Sequence, residues 1–326
     1  MRFRFFLLTI LAPGVHGSED PTNDKPPPPK LSKKHNSCSI GLVQVESTRS
    51  FEDTYSAILQ VLSSNINVYI AAEFDAAKVA SVVNVTGIPP NRVVIFGNPV
   101  IAAPLIAADQ ASALDLPQKM HVYQTMEGKV MLGYNTPKYL EKRYTEMDKK
   151  AQEDLDLVNA GLRTLAADAA GVDPSTISDK VFKGAGKDMF SPKYRAGIYK
   201  RESNVDFATT LTRLVAMISN KGLYLVDTVD HQAASASVGV EIRPTTLIMF
   251  CFPPFDATFM QSNQCAVADF PLKMLLMEAE DGTVEVRMNN FNYLRQRHHI
   301  HSGSINEDVY NYVQNVVLEI VEGATV

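Results

Sequence analysis

The chain has 326 residues, 45% of them hydrophobic and 21% charged, with a formal net charge of -5 and a sequence pI near 5.8. That length supports two domains of ordinary size, each able to bury its own core, and the acidic balance excludes the basic footprint of a nucleic-acid binder. Three cysteines, Cys38, Cys251 and Cys265, are too few for a disulfide scaffold, and their odd number leaves at least one thiol free or paired between molecules.

Arg2 and Arg4, the apolar run Phe5 to Ala12, and Val15-His16-Gly17 before Ser18 read as a secretory signal over residues 1–17. The mature protein is therefore expected to be secreted. The run is shorter than the ~20 apolar residues that cross a bilayer, and no transmembrane segment is expected further on. Residues 18–37, with Pro26 to Pro29 among mixed charges, bury too little apolar surface to fold and read as a stalk.

A first domain is expected over residues 38–144. Ile40, Leu42, Val43 and Val45 predict a strand, and Phe51, Tyr55, Ile58, Leu59 and Leu62 a helix capped by Ser50. Strands follow at Val68 to Phe74 and Arg92 to Phe96. Pro99 opens a helix to Ala108, in which Pro104 is a local conflict. Glu127-Gly128 between Lys119 to Gln124 and Val130 to Tyr134 signals a hairpin, and a short helix follows around Tyr139-Leu140. Residues 145–193 read as a linker helix and connector. A second domain is expected over 194–301 and a C-terminal helix over 302–326.

The second domain repeats the first. Residues 91–144 lie without a gap over 245–298, and 14 of the 54 paired positions are identical, which makes the architecture a tandem repeat before any motif is weighed. The shared residues include Asp115 with Asp269, Pro117 with Pro271, Gly128 with Gly282, Asn135 with Asn289, Tyr139 with Tyr293 and Arg143 with Arg297. Upstream, Gly41 matches Gly197, and the helix capped by Asp206 matches the one capped by Ser50. The predicted fold is α+β: two β-α-β-β-α-β-β-α units, with largely antiparallel sheets and helices on one face. A pseudo-twofold, intramolecular pseudo-dimer in a monomeric chain is expected.

Phe96-Gly97-Asn98-Pro99, Leu114-Asp115-Leu116-Pro117 and Tyr134-Asn135-Thr136-Pro137 flank an acidic-Gly hairpin in the first repeat. In the second, Asp230-His231-Gln232-Ala233, Pro244-Thr245-Thr246, Asp269-Phe270-Pro271 and Asp281-Gly282 follow in the same order. Both halves resemble the family known as domain of unknown function 302. The resemblance covers Ser39 to His298 and implies a compact α+β domain, similar to TATA-binding-protein-like and helix-grip folds, with no established reaction; separately, no cofactor is expected. The repeats depart from the pattern in opposite places: the first has Ala76 where the second has His231, and the second has Cys251-Phe252 where the first has Gly97-Asn98. The duplication thus points to at most one working site.

His231 beside Asp230 is the candidate general base, and a hydrolase or isomerase is the enzymatic alternative. Neighbours on a strand face opposite ways, however, so a capping Asp and an interior His form the commoner arrangement. Gly97, Asn98 and Pro99 are ligand-binding candidates whose ordinary use is to turn, cap and start a helix. Arg143 and Arg297 are candidates for an anion, although a helix-surface salt bridge is their commoner use. His298, His299 and His301 suggest a metal, but without ligand-spaced cysteines or carboxylates they fit a surface turn better. Asn84-Val85-Thr86 is a glycosylation sequon. Cys251 and Cys265, separated by a helix of about ten residues and roughly 15 Å, are too distant to bridge and read as buried thiols. The expected function is non-catalytic binding of a small ligand or protein partner. A cell-surface interaction module on the Pro-rich stalk is a further alternative.

Overall fold

The computed structural model describes residues 39–144, 149–178, 181–183, 185–186 and 188–326. The residues expected to form a signal and a stalk, and Cys38, lie outside the described residues. Each repeat forms a five-stranded antiparallel sheet. The first contains β1 (Leu42–Glu46), β2 (Tyr69–Asp75), β3 (Asn91–Gly97), β4 (Gln118–Gln124) and β5 (Val130–Asn135) in the order β1-β5-β4-β3-β2. The second contains β6 (Ile198–Glu202), β7 (Tyr224–Asp230), β8 (Thr245–Cys251), β9 (Leu272–Glu278) and β10 (Val284–Asn289) in the identical order β6-β10-β9-β8-β7. Even the irregularity recurs: the β2/β3 ladder slips between Ile70 and Ala72, and the β7/β8 ladder between Leu225 and Asp227.

The helices of the first repeat are α1 (Phe51–Ser64), α2 (Ala76–Val82), α3 (Pro99–Ala108), α4 (Pro137–Arg143) and α5 (Lys149–Ala170). Those of the second are α6 (Phe207–Asn220), α7 (His231–Ala236), α8 (Pro253–Ser262), α9 (Phe291–Arg297) and α10 (Glu307–Ala324). Side chains at the predicted caps satisfy orphan amides: Ser50 Oγ accepts from the Asp53 N–H at 3.2 Å and Asp206 Oδ1 from the Thr209 N–H at 2.9 Å. α3 keeps its full length through Pro104. Gly128 and Gly282 take positive φ of 85° and 81° in the two hairpins, as the turns require. The short helices α2 and α7 follow their strands directly. His231 is therefore the first residue of a helix, not the end of a strand.

Strand alternation splits the core. From β3, Val94 and Phe96 face α1 and α5, while Val93 and Ile95 join a larger core shared with the second repeat. α2 packs on α8 and α3 on α7, so each repeat lends the other a helix pair. Gly41 and Gly197 both have φ of +77°, and a Cβ on Gly41 would sit 2.6 Å from Tyr139 Cδ2. Only glycine tolerates both demands, which explains its recurrence at the head of each repeat.

Candidate ligand-binding site

Two constellations emerge, a buried polar core between the repeats and a cavity inside the first. In the polar core, Arg143 Nη1 donates to Asp115 Oδ2 at 2.6 Å, its Nε to the Ala196 carbonyl at 3.2 Å, and its Nη2 to Asn289 Oδ1. Arg297 mirrors it, with Nη1 donating to both Asp269 oxygens at 2.7 Å, Nε to the Ile40 carbonyl at 3.1 Å, and Nη2 to Asn135 Oδ1. Each arginine thus pairs with an aspartate of its own repeat and reaches an asparagine and a carbonyl of the other. Lys273 crosses to Asp115 at 2.7 Å, and Lys119 crosses to the Phe270 carbonyl at 2.9 Å.

Charge in this core is fixed by its neighbours. Burial alone would raise the Asp115 carboxyl, but Arg143 and Lys273 overcome it and hold the group well below the usual carboxylate range. Burial likewise opposes ionisation of Asp269, and Arg297 with His298 reverses the effect. Arg143 and Arg297 were expected on helix surfaces. Both are fully enclosed at their charged ends, and their guanidinium groups donate to the protein itself.

His298 is also a correction to the surface-turn reading. It is buried, its Nε2 lies 2.7 Å from Asp269 Oδ2, and its Nδ1 lies 2.7 Å from Ser39 Oγ. The matching residue in the first repeat, Tyr144, donates to Asp115 Oδ2 at 2.8 Å, so these positions brace the two aspartates equivalently. His299 is half-buried with φ of 53°, and His301 is exposed. Among the described residues no group of three or more His, Cys, Asp or Glu is placed to hold a metal ion.

Asp230 Oδ1 accepts from the Ala233 N–H at 2.9 Å and so caps α7. His231 is buried, and its Nε2 lies 3.2 Å from the Leu116 carbonyl of the first repeat. Burial pushes its pKa down to about 4, which leaves a neutral ring whose Nε2–H donates to that carbonyl. The pair therefore ties the repeats together. Cys251 is a free, buried thiol, whereas Cys265 is disulfide-bonded, which corrects its reading as a buried thiol. Asn84, with φ of 58°, sits with Thr86 on an exposed loop.

The cavity is a partly open cleft of about 220 Å³ where the first repeat's two cores meet. Val61 and Leu62 of α1 and Leu157, Gly161 and Leu162 of α5 form one side. The other is formed by Gly97 and Asn98, by Ile101, Ala102 and Leu105 of α3, and by Leu116, Pro117 and Gln118. Two of the sequence candidates, Gly97 and Asn98, thus line a cleft. Asn98 Oδ1 also caps α3 by accepting from the Val100 N–H at 3.0 Å. His231 is not a lining residue and meets the cleft only through Leu116. Gln118 escaped the sequence reading although it is 8% exposed and its Oε1 has no hydrogen-bond partner among the described residues. The signal was present in the repeat, where Gln118 aligns with Leu272 just before the identical pairs Lys119 with Lys273 and Met120 with Met274.

In the second repeat the equivalent positions are filled. Gly97, Asn98, Ile101, Leu105 and Leu116 correspond to Cys251, Phe252, Phe255, Phe259 and Phe270. Phe255 packs on Phe259 and Phe270 with ring centroids 4.6 and 6.0 Å apart, and Phe252 meets Tyr312 of α10 at 5.8 Å. Those rings take the volume that smaller side chains leave open in the first repeat.

Fold and site together define a tandem α+β scaffold folded as an intramolecular pseudo-dimer, with a cleft in its first half. The model of a family described as "Domain of unknown function DUF302" matches residues 43–162 and 199–320, and the chain belongs to that family. A solved structure of an uncharacterized conserved DUF302 protein from Bacillus stearothermophilus is similar at 18% identity and a TM-score of 0.36, covering 40% of this chain and 98% of that one. Two curated proteins, fluoride-specific ion channels named FluC 1 from Brucella suis biovar 1 (strain 1330) and Brucella abortus biovar 1 (strain 9-941), are each 31% identical over 103 residues. The match takes in 32% of this chain and spans only 41% and 38% of those proteins. No helix among the described residues is long and apolar enough to cross a membrane.

Proposed function

We propose that this protein is a secreted, non-catalytic binding protein that takes a small, mostly apolar ligand into the cleft of its first repeat. The second repeat acts as its structural partner. The observation that carries this reading is the asymmetry between equivalent positions: a cleft of about 220 Å³ lies in one repeat, and four phenylalanines stand at the corresponding positions of the other. Open apolar volume is costly to keep in a folded core, so its retention in one copy beside a buried, unpartnered Gln118 oxygen favours an occupant. The candidate groups are already engaged, His231 with a backbone carbonyl and the arginines with aspartates and asparagines.

Native mass spectrometry of protein purified from its own host tests the reading. A retained small molecule, lost when the cleft is filled by substitution, is the expected result. A clean, empty species that also fails to bind any apolar probe would overturn it.

A further inference from the structure

Resting on that reading, we infer that the ligand is a neutral, hydroxyl-bearing molecule with a compact apolar body, and that Gln118 is the residue that reads the hydroxyl. Among the described residues no charged side chain lines the cavity. A carboxylate or ammonium brought into it would lose its hydration without meeting an opposite charge, which is strongly unfavourable. Three polar side chains do line it. Asn65 Oδ1 is occupied by the Asn67 N–H at 3.0 Å and Asn98 Oδ1 by the Val100 N–H at 3.0 Å. Gln118 Oε1 is left with no partner among the described residues.

A buried acceptor calls for a donor, and a hydroxyl supplies one at small volume. It also accepts, so it satisfies the Gln118 amide whichever end is presented. Size sets the rest. An apolar cavity of about 150 Å³ holds benzene, so 220 Å³ takes a ring carrying a few more carbons. Leu157, 70% exposed, and Val61 stand at the rim, which gives an apolar approach. The second repeat supports the pairing of space with polarity: where phenylalanines stand at the cavity positions, leucine stands in place of Gln118.

The test uses the full-length protein and three probes of one shape, 4-propylphenol, propylbenzene and 4-propylbenzoate, titrated calorimetrically at pH 7. Two variants accompany it. Gln118→Leu installs the second repeat's residue. Gly161→Leu fills the cleft from α5 at a position where an added Cβ meets nothing within 4 Å, so the fold is expected to survive. Propylphenol should bind at least about tenfold more tightly than the other two, a difference of about 1.4 kcal/mol. Gln118→Leu should bring it down to the level of propylbenzene, and Gly161→Leu should abolish binding of all three.

Equal binding of phenol and benzoate, or a phenol preference untouched by Gln118→Leu, would overturn the hydroxyl assignment. The cleft would remain the site if Gly161→Leu still blocked binding. Silence from all three probes would overturn both this inference and the reading beneath it.

Discussion

The hydroxyls of Tyr139 and Tyr293 lie 2.9 Å apart, one from each repeat, at the centre of the buried polar core. Each ring is covered by the opposite repeat's arginine: Arg297 stands 4.1 Å from the Tyr139 centroid and Arg143 4.7 Å from that of Tyr293. Because the arginine-tyrosine contacts are made twice in reciprocal sense, the duplicated sequence holds itself together much as a symmetric dimer would.

Breaking a buried pair leaves a charge without compensation, at about 3–5 kcal/mol. The two arginines should not cost the same. Without Arg143, Asp115 keeps Lys273 at 2.7 Å and Tyr144 at 2.8 Å; without Arg297, Asp269 keeps the His298 contact at 2.7 Å. Arg297→Leu is therefore expected to destabilise by more than Arg143→Leu, both by several kcal/mol, in urea denaturation followed by circular dichroism. Losses under about 1 kcal/mol for either would show that this core does not hold the repeats together.

Acid should weaken the fold through the buried histidines. Burial lowers His231 to about 4 and His121 to about 3, against an unfolded value near 6.5. The unfolded chain then binds more protons below pH 6.5, so this contribution is present above that pH and is lost as pH falls toward 4. For His231 alone the loss is about 3 kcal/mol. His231→Gln keeps a donor for the Leu116 carbonyl without a titrating ring. Its stability should fall less steeply than wild type between pH 6.5 and 4, and parallel curves would rule out this role for His231.

Much of the fold was legible because its signals are local. Caps at Ser50 and Asp206, glycine in each hairpin and proline at each α3 or α8 start lie within a few residues of what they shape. The polar core was not read correctly because its partners are distant in sequence. Arg143 meets Asp115 28 residues away and Asn289 146 away, whereas a local reading of Lys142-Arg143 puts both on a helix surface. Yet Asp115, Asn135, Tyr139 and Arg143 all have identical counterparts. Polar residues kept together in both copies of a divergent repeat mark a shared interior, not a solvated face. The cleft was half legible: Gly97 and Asn98 line it, but volume is a property of packing and only the folded geometry exposes Gln118.

The proposed secretion can be checked at Asn84. The sequon is on an exposed loop, with Asn84 and Thr86 both open to solvent. Expression through a eukaryotic secretory pathway should give a glycan-sized mass increase that peptide N-glycosidase removes and Asn84→Gln abolishes. An unmodified, intracellular product would count against export and occupancy together.

Asp256 should produce a pH signature of opposite sign to the histidines. It is wholly buried in α8, and neither carboxyl oxygen has a hydrogen-bond partner among the described residues; its counterpart in the first repeat is Ala102. Burial raises its pKa well above the ordinary carboxylate value, so the folded protein keeps it protonated where the unfolded chain ionises. Its contribution is complete below the unfolded pKa, about 3.9, and is lost as pH rises. Asn has the shape of the neutral acid and never ionises. Asp256→Asn is therefore expected to be more stable than wild type at pH 7, with the advantage shrinking toward pH 4. An advantage independent of pH would mean that Asp256 stays ionised in the fold, and the carboxylate would then have to be balanced by the nearby Phe252 backbone and, after it, by the charge of Lys119.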